Sequence, residues 1–201
     1  MDISKIRRLR RDELPVNTVK LARYLIGKTL VRELDGKRMA GRIIETEAYL
    51  PNDAACHAFR GRTPRNRALF LQHGHAYVYF IYGSSFMMNV SGEKEGVGAG
   101  ILLRAVEPLE GTELMRRHRG ADALLDLARG PGRLASAFRI DRRLDGVDLC
   151  APGRLWLGTA VKRRGAIGES IRIGITRDAH LVLRFYERGN PFVSGTKKLR
   201  A

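Results

Sequence analysis

The chain has 201 residues, which is enough for one domain with a well-buried core. Its 37 Lys and Arg against 21 Asp and Glu give a formal charge of +16. This charge favours DNA or RNA as the partner, because binding of phosphates releases their counterions, and an anionic membrane surface is the second choice. Two cysteines are too few for a disulfide framework and no apolar run is long enough to cross a bilayer, so we expect a soluble cytoplasmic protein.

The chain begins with a charged leader, residues 1–14, that has no apolar core of its own, and we expect it to be frayed. The first predicted helix follows it. Val16 is placed to act as a hydrophobic staple, Asn17 as the N-cap, and Gly27 ends the helix where a positive φ is needed.

Two strands joined by a tight turn come next. The residue pattern predicts strands over Thr29–Leu34 and Met39–Tyr49, and Asp35 and Gly36 between them suit a hairpin turn because both tolerate positive φ. Side chains two residues apart in a strand share a face. Glu47 and Tyr49 are therefore expected to project together near the end of the second strand, with Glu45 on the same face.

The stretch after Tyr49 is typical of a surface loop, since it contains prolines, small residues and a cluster of arginines. Its second half contains TPRNR, Thr63 to Arg67. Four residues here are predicted to hold backbone phosphates: Arg62, Thr63, Arg65 and Arg67. The alternative is that the arginines only form a solvated face.

Aromatic residues mark the next predicted strand, His75 to Ile81, and another strand is expected over Ile101 to Val106. Tyr77 and Tyr79 could stack on an unpaired base, although Tyr77 could equally be ordinary sheet packing. Tyr82, at the end of the aromatic strand, is placed to act as a wedge in a duplex.

The last part of the chain mixes helix and strand patterns. Thr112 is a candidate cap for a short helix to Arg117, and GPGRLASAF, 130–138, resembles a turn followed by a helix. Closing strands are predicted around Trp156, in Ile171 to Thr176, and in Leu181 to Glu187. Together these elements predict a mixed α/β (α+β) fold in which residues 1–201 form a single domain, with a curved, mostly antiparallel sheet flanked by helices.

Four motifs in this order resemble the alkyladenine (3-methyladenine) DNA glycosylase family. They are ETEAY, TPRNR, YVYFIYG followed by a Met-Asn pair, and LLRAVEP, and the resemblance extends to LRFYERGNPFVS near the end of the chain. Ser84 and Ser85 depart from the family pattern, because its better known members have bulkier side chains after the wedge.

The resemblance implies a role for each matching position. Glu47 activates the water that attacks the sugar carbon, and Arg104 and the backbone carbonyl of Ile173 help to hold that water. Tyr49 lies on one face of the flipped base. His57 and Tyr79 lie on the other face.

Two further roles follow from the same resemblance. Tyr82 fills the gap that the flipped nucleotide leaves in the duplex. Asn89 crowds the position where guanine carries its extra amino group and so discriminates against undamaged guanine.

The implied activity is that of a monofunctional DNA glycosylase, which excises alkylated and possibly deaminated purines and starts base excision repair. We expect no metal or other cofactor, a monomer, double-stranded DNA with a damaged base as partner, no membrane association, and a cytoplasmic, DNA-associated location. From the residues alone, a noncatalytic nucleic-acid-binding module is the alternative. Glu47 distinguishes the two, because a carboxylate repels phosphate but is needed for hydrolysis.

Overall fold

One antiparallel sheet organises the computed structural model, which describes residues 5–195. The strands in this part of the chain are β1 (Thr29–Leu34), β2 (Lys37–Tyr49), β3 (Ala76–Ile81), β4 (Ser85–Ser91), β5 (Gly100–Glu110), β6 (Leu155–Gly158), β7 (Ile167–Ser170) and β8 (Arg184–Glu187). The helices are α1 (Thr18–Leu25), α2 (Thr112–Arg119), α3 (Leu124–Leu127) and α4 (Pro131–Ala137). None of these helices is long and apolar enough to cross a membrane.

The long strand β2 is the centre of the sheet. The main strand order is β3-β4-β5-β2-β1-β6, and β8 pairs both with β7 and with the last part of β2. β1 and β8 therefore lie one after the other along the same edge of β2, while β5 covers the other edge. The curled antiparallel sheet with its helices confirms the predicted mixed α/β class.

The N-terminal elements follow their sequence signals closely. The side chain of Asn17 accepts a hydrogen bond from the Lys20 N–H at the start of α1, which is the expected N-cap contact. Gly27 has φ +87°, and Asp35 and Gly36 have φ of 50° and 71° in the hairpin turn. These outcomes confirm the predicted cap, helix end and hairpin.

The hydrophobic core fills the space between the sheet and helices α1 and α4. Leu21 and Leu25 of α1 contact this core together with Leu103 and Val106 of β5 and Phe138 after α4, and all five are fully buried. A separate, smaller apolar cluster contains Tyr77 and Tyr79 of β3. This second cluster forms the wall of the cavity described below.

The described part of the leader, residues 5–14, is packed, so the expectation of fraying is wrong there. Leu9 is 1% exposed and its N–H donates to the Leu157 carbonyl at 2.8 Å. Arg11 donates to the His73 carbonyl and forms an ion pair with Asp148. Apolar residues scattered among the charges are enough to attach an irregular segment to a sheet edge, and no periodicity reveals this in advance. Residues 1–4 of the predicted leader lie outside the described residues.

Two other predictions about local structure are wrong. The N-cap of α2 is Gly111, with φ +73°, and Thr112 is already the first helical residue. The segment Ile171 to Thr176 is irregular. The strand β7 ends just before this segment and pairs with β8, which also pairs with β2. Strand β4, which the sequence analysis does not predict, pairs with β3 and β5 and positions Asn89.

Candidate active site

Glu47 lies near the end of β2 and is completely buried. It is opposite Leu102 of β5 on one side and Arg184 of β8 on the other. Because both edges of β2 are paired here, the backbone that carries Glu47 is fixed from two directions. A carboxylate in such a place requires hydrogen-bond partners.

Three donors hold the two oxygens of Glu47. Oε2 accepts from the Tyr49 hydroxyl at 3.0 Å and from Arg104 Nη1 at 3.2 Å. Oε1 accepts from the Ile173 backbone N–H at 2.8 Å. All three partner residues were predicted from the sequence. For Ile173 the prediction was that its carbonyl contacts the water, whereas in the structure its backbone N–H contacts the carboxylate.

Burial raises the pKa of Glu47 above its ordinary value. The positive charge of Arg104 opposes this effect, as do the hydrogen bonds from Ile173 and Tyr49, and the negative charge of Glu45 adds to it. The charges of Glu45 and Arg104 therefore oppose each other, and burial is the larger cause of the raised pKa. A carboxylate with a raised pKa is a stronger base when it is ionised.

A cavity of about 340 Å³ lies in front of this carboxylate. Tyr49, Arg104 and Ile173, which bind Glu47, all line it, while Glu47 itself lies behind them. The predicted residues that also line the cavity are His57, Tyr77, Tyr79, Tyr82 and Asn89. The cavity is thus wide enough for a flat aromatic ligand, with an acid at its base.

Three aromatic rings form one wall of the cavity. The His57 and Tyr79 ring centroids are 4.6 Å apart with an edge-on geometry, and Tyr77 stacks on Tyr79 at 5.3 Å. The Tyr77 hydroxyl is 3.0 Å from His57 Nδ1. Tyr77 is almost completely buried, so it both packs in the sheet and orients His57. The enclosed position of the ring and the charge of Arg65 lower the pKa of His57, which favours its neutral form.

Tyr49, which also lines the cavity, contacts a buried ion pair that was not predicted from the sequence. The Arg172 guanidinium lies 4.6 Å from the centre of the Tyr49 ring, and it binds Asp53 and the Ala48 carbonyl. Arg172 also precedes Ile173, so the same pair holds the backbone that contacts Glu47. Arg172 begins the segment RIGI, which also resembles the family, but the resemblance implied no role for it.

Asn89 carries an unsatisfied polar group in the cavity wall. Its side chain is buried, and Nδ2 has no hydrogen-bond partner among the described residues. Buried amides normally have partners, and those without one often belong to binding sites. Asn89 is therefore placed to contact a ligand inside the cavity.

Tyr82 lies at the tip of the β3–β4 hairpin, beside the mouth of the cavity. It is 76% exposed and has φ +56°, and Gly83 follows with φ +66°. A positive φ is uncommon for residues other than glycine, and it often marks a functional position when the side chain is large. Ser84 and Ser85 are the next residues of the hairpin.

The TPRNR loop carries its basic side chains outward. Arg62, Thr63, Arg65 and Arg67 are all exposed. Asn66, which the sequence analysis did not select, is buried and holds the loop together: Oδ1 accepts from Thr63 N–H at 2.6 Å, and Nδ2 donates to the carbonyls of His57 at 2.8 Å and Gly61 at 3.0 Å. Asn66 therefore ties the basic loop to the cavity wall.

A second basic surface includes Tyr82 itself. A groove of about 730 Å³ runs between the hairpin tip and α4. Its arginines are Arg119, Arg129, Arg133, Arg139 and Arg143. The sequence analysis named none of them, because they are dispersed over 25 residues without a motif, and only the net charge indicated such a surface.

The described residues contain no group of three or more His, Cys, Asp or Glu side chains that could hold a metal ion. The absence of a metal or other cofactor from the reaction stays a prediction.

Comparison with known proteins gives consistent results. Residues 12–191 match the sequence pattern of the methylpurine-DNA glycosylase family. A protein from Mesorhizobium japonicum is 62% identical over 190 residues, covering 94% of this chain and 91% of that protein. Relatives from Paraburkholderia phytofirmans and Methanocella arvoryzae are 53% and 48% identical, covering 95% and 92% of this chain and 90% and 95% of their own lengths. Each of the three carries a name that assigns it to the 3-methyladenine DNA glycosylases.

Proposed function

The chain belongs to the methylpurine-DNA glycosylase family and is a DNA repair enzyme of the 3-methyladenine DNA glycosylase type. From this premise we propose that it rotates an alkylated purine out of duplex DNA into the aromatic cavity and hydrolyses the N-glycosidic bond with water that Glu47 activates. The observation that carries this proposal is the buried Glu47 carboxylate, fixed by three donors directly behind the cavity.

The chemistry requires an anion close to the sugar. As the bond to the base breaks, the sugar gains positive charge, which a carboxylate stabilises while it takes a proton from water. Glu47 is suited to both tasks, since its orientation is fixed and burial raises the affinity of the ionised group for a proton. Arg104 and the backbone of Ile173 line the cavity next to Glu47 and are the proposed holders of the water.

The cavity selects purines by stacking and by exclusion. The base lies between Tyr49 on one side and His57 with Tyr79 on the other, in the space that these rings enclose. A neutral His57 avoids repulsion with a positively charged methylated base. The unpaired Nδ2 of Asn89 is the proposed group that crowds the guanine amino group. Deaminated purines are neutral and need a proton on the leaving base, so they are proposed as a secondary substrate class.

Duplex DNA is the proposed partner because the described residues carry two exposed basic surfaces, the loop of Arg62 to Arg67 and the groove beside Tyr82. Arg62, Thr63, Arg65 and Arg67 hold some of the phosphates, and the arginines beside α4 hold others. Tyr82 then occupies the gap left by the flipped nucleotide. A monomer with a cytoplasmic, DNA-associated location remains a prediction.

Glu47→Gln tests the proposal. We expect this variant to bind duplex DNA that contains one methylated purine but to lose roughly a hundred- to ten-thousand-fold in single-turnover excision, measured by alkaline cleavage of abasic sites. Glu169→Gln, an equal change at a surface ion pair with Arg23, serves as the matched control and should excise normally. Substantial activity of Glu47→Gln shows that another residue is the base.

The absence of lysine from the matched motifs predicts a water nucleophile. Borohydride should therefore trap no covalent complex between the protein and DNA, and the enzyme should not nick the strand itself. A trapped complex contradicts this part of the mechanism.

A further inference from the structure

Arg104 binds two buried carboxylates. Its Nη1 donates to Glu47 at 3.2 Å, and its Nε donates to Glu45 Oε1 at 3.0 Å. Glu45 is completely buried and does not line the cavity. Of the residues that bind Glu45 only Arg104 lines the cavity, whereas all three that bind Glu47 do, so Glu45 lies further from a bound base while it shares the cation that faces Glu47.

Four donors fix Glu45, and only one of them, Arg104, comes from a residue that also binds Glu47. Besides Arg104, Oε1 accepts from Arg184 Nε at 2.6 Å and from the Ser194 hydroxyl at 3.0 Å, and Oε2 accepts from the Ser194 N–H at 2.7 Å. These donors come from β5, β8 and the segment after β8. A carboxylate held so completely in the protein interior is an immobile negative charge.

We propose that Glu45 is a positioning residue for base excision: it fixes the Arg104 guanidinium and offsets part of its positive charge, so that Glu47 keeps the proton affinity of a general base. This proposal rests on the proposed catalytic role of Glu47. It assigns Glu45 no contact with DNA or water.

The electrostatic argument follows from the charges around Glu47. The charged, titratable and hydrogen-bonding groups around Glu47 and its partners come from several elements. They are Glu45 and Tyr49 from β2, Tyr79 from β3, Arg104 from β5, Arg184 from β8, Ser194 after β8, and Arg172, paired with Asp53, with the Ile173 N–H after β7. Arg129 and Arg133 share a small pocket with Arg104. Removing the charge of Glu45 leaves Arg104 uncompensated beside Glu47. The ionised form of Glu47 is then stabilised, and it becomes a weaker base.

Removing Arg184 has the opposite effect. Glu45 then keeps its full negative charge with one cation fewer, and proton binding by Glu47 becomes more favourable. Two substitutions in one cluster thus predict shifts of opposite sign. A role that is only structural predicts lower stability for both and no such pattern.

The experiment measures single-turnover excision against pH for the full chain, and in parallel titrates the Glu47 carboxyl by 13C NMR without DNA. For Glu45→Gln we expect the acid limb of the rate profile and the NMR midpoint to move down by about one pH unit, the low end of the effect of a neighbouring charge, and the plateau rate to fall by up to about tenfold. For Arg184→Gln both midpoints should move up.

Glu187→Gln is the matched control. Glu187 is another buried carboxylate of the same sheet, but its partners are Arg42, the Gly165 N–H and Asn190. This control should lose stability in a thermal melt while both midpoints stay in place. It therefore separates the loss of a buried charge from the loss of this particular charge.

The possible results are distinct. If Glu45→Gln is folded and both midpoints stay at the wild-type pH, the proposal is overturned, while the role of Glu47 stands on its own variant. If the wild-type protein releases no base, the proposed function fails, and the NMR titration still decides whether Glu45 and Glu47 are coupled. If Glu45→Gln does not fold, an upward shift in Arg184→Gln supports the proposal and an unchanged midpoint overturns it.

Discussion

Asn66→Ala should loosen the basic loop and lower the stability of the whole protein. The side chain of Asn66 makes three hydrogen bonds in a buried position, one to the Thr63 N–H and two to the carbonyls of His57 and Gly61. Each such bond contributes about 1 kcal/mol net, and leaving a buried partner unsatisfied costs more. The expected loss is about 3 kcal/mol of unfolding free energy, since the loop can hydrate part of what it loses.

The size of this loss makes it easy to measure. In a protein of about 200 residues, 1 kcal/mol shifts Tm by roughly 2–4 °C, so Asn66→Ala should melt roughly 6–12 °C lower. Limited trypsin digestion gives a local readout, because Arg60, Arg62, Arg65 and Arg67 lie in this loop and become better substrates when it opens.

Asn52→Ala is the control, since Asn52 is an exposed asparagine in the same connection between β2 and β3. It should melt within about 0.5 kcal/mol of the wild type and keep the wild-type cleavage rate. Asn66→Asp keeps the acceptor for Thr63 but places a carboxylate oxygen against the carbonyls of His57 and Gly61, where acceptors repel, so it should melt at least as low as Asn66→Ala. A Tm of Asn66→Ala equal to that of Asn52→Ala, with no added cleavage, refutes the claim that Asn66 organises the loop.

Three more outcomes are expected. Tyr82→Gly should fold with a stability within about 1 kcal/mol of the wild type, because glycine accepts φ +56°, yet excise at least roughly tenfold more slowly from duplex DNA; an unchanged duplex rate excludes the wedge role. Arg65→Gln should flatten the slope of log affinity against log salt by about 0.9. The control Lys37→Gln, at the start of β2, should leave the slope unchanged. Equal slopes for the two variants would show that Arg65 does not contact a phosphate. Because burial raises the pKa of Glu47, the wild-type excision rate should fall as pH drops through a midpoint above 4.5, and a midpoint at or below that value contradicts the assignment.

The local rules predicted the elements whose signals lie within a few residues. The β1–β2 hairpin needed only strand alternation and the Asp35-Gly36 turn, and the start of α1 needed only Asn17. The Thr112 cap failed because Gly111 already adopts the left-handed conformation that starts α2. The prediction of a frayed leader was wrong because the attachment of this segment depends on partners such as Leu157, about 150 residues away.

The same distinction applies to the site. Period-two geometry placed Glu47 and Tyr49 on one face, and the structure joins them by a hydrogen bond. The residues that pack and bind behind these two could not be predicted, because Arg172 and Ser194 lie more than 120 residues further along the chain. Resemblance to a family gave roles to the residues proposed to contact the substrate. The residues that hold those side chains in place could not be identified in this way, because their contacts depend on the folded sheet.

The pairing of β8 with the far end of β2 sets an order of assembly. Glu45 and Glu47 leave the ribosome long before the residues after 170 that satisfy them. Until that late segment docks, Glu45 and Glu47 have only Arg104 and Tyr49 as partners, so we expect the proposed catalytic centre to be completed late in folding. Local unfolding of β8, which hydrogen exchange detects, takes Arg184 away from Glu45, and we therefore expect the repair activity to be lost before the central sheet unfolds.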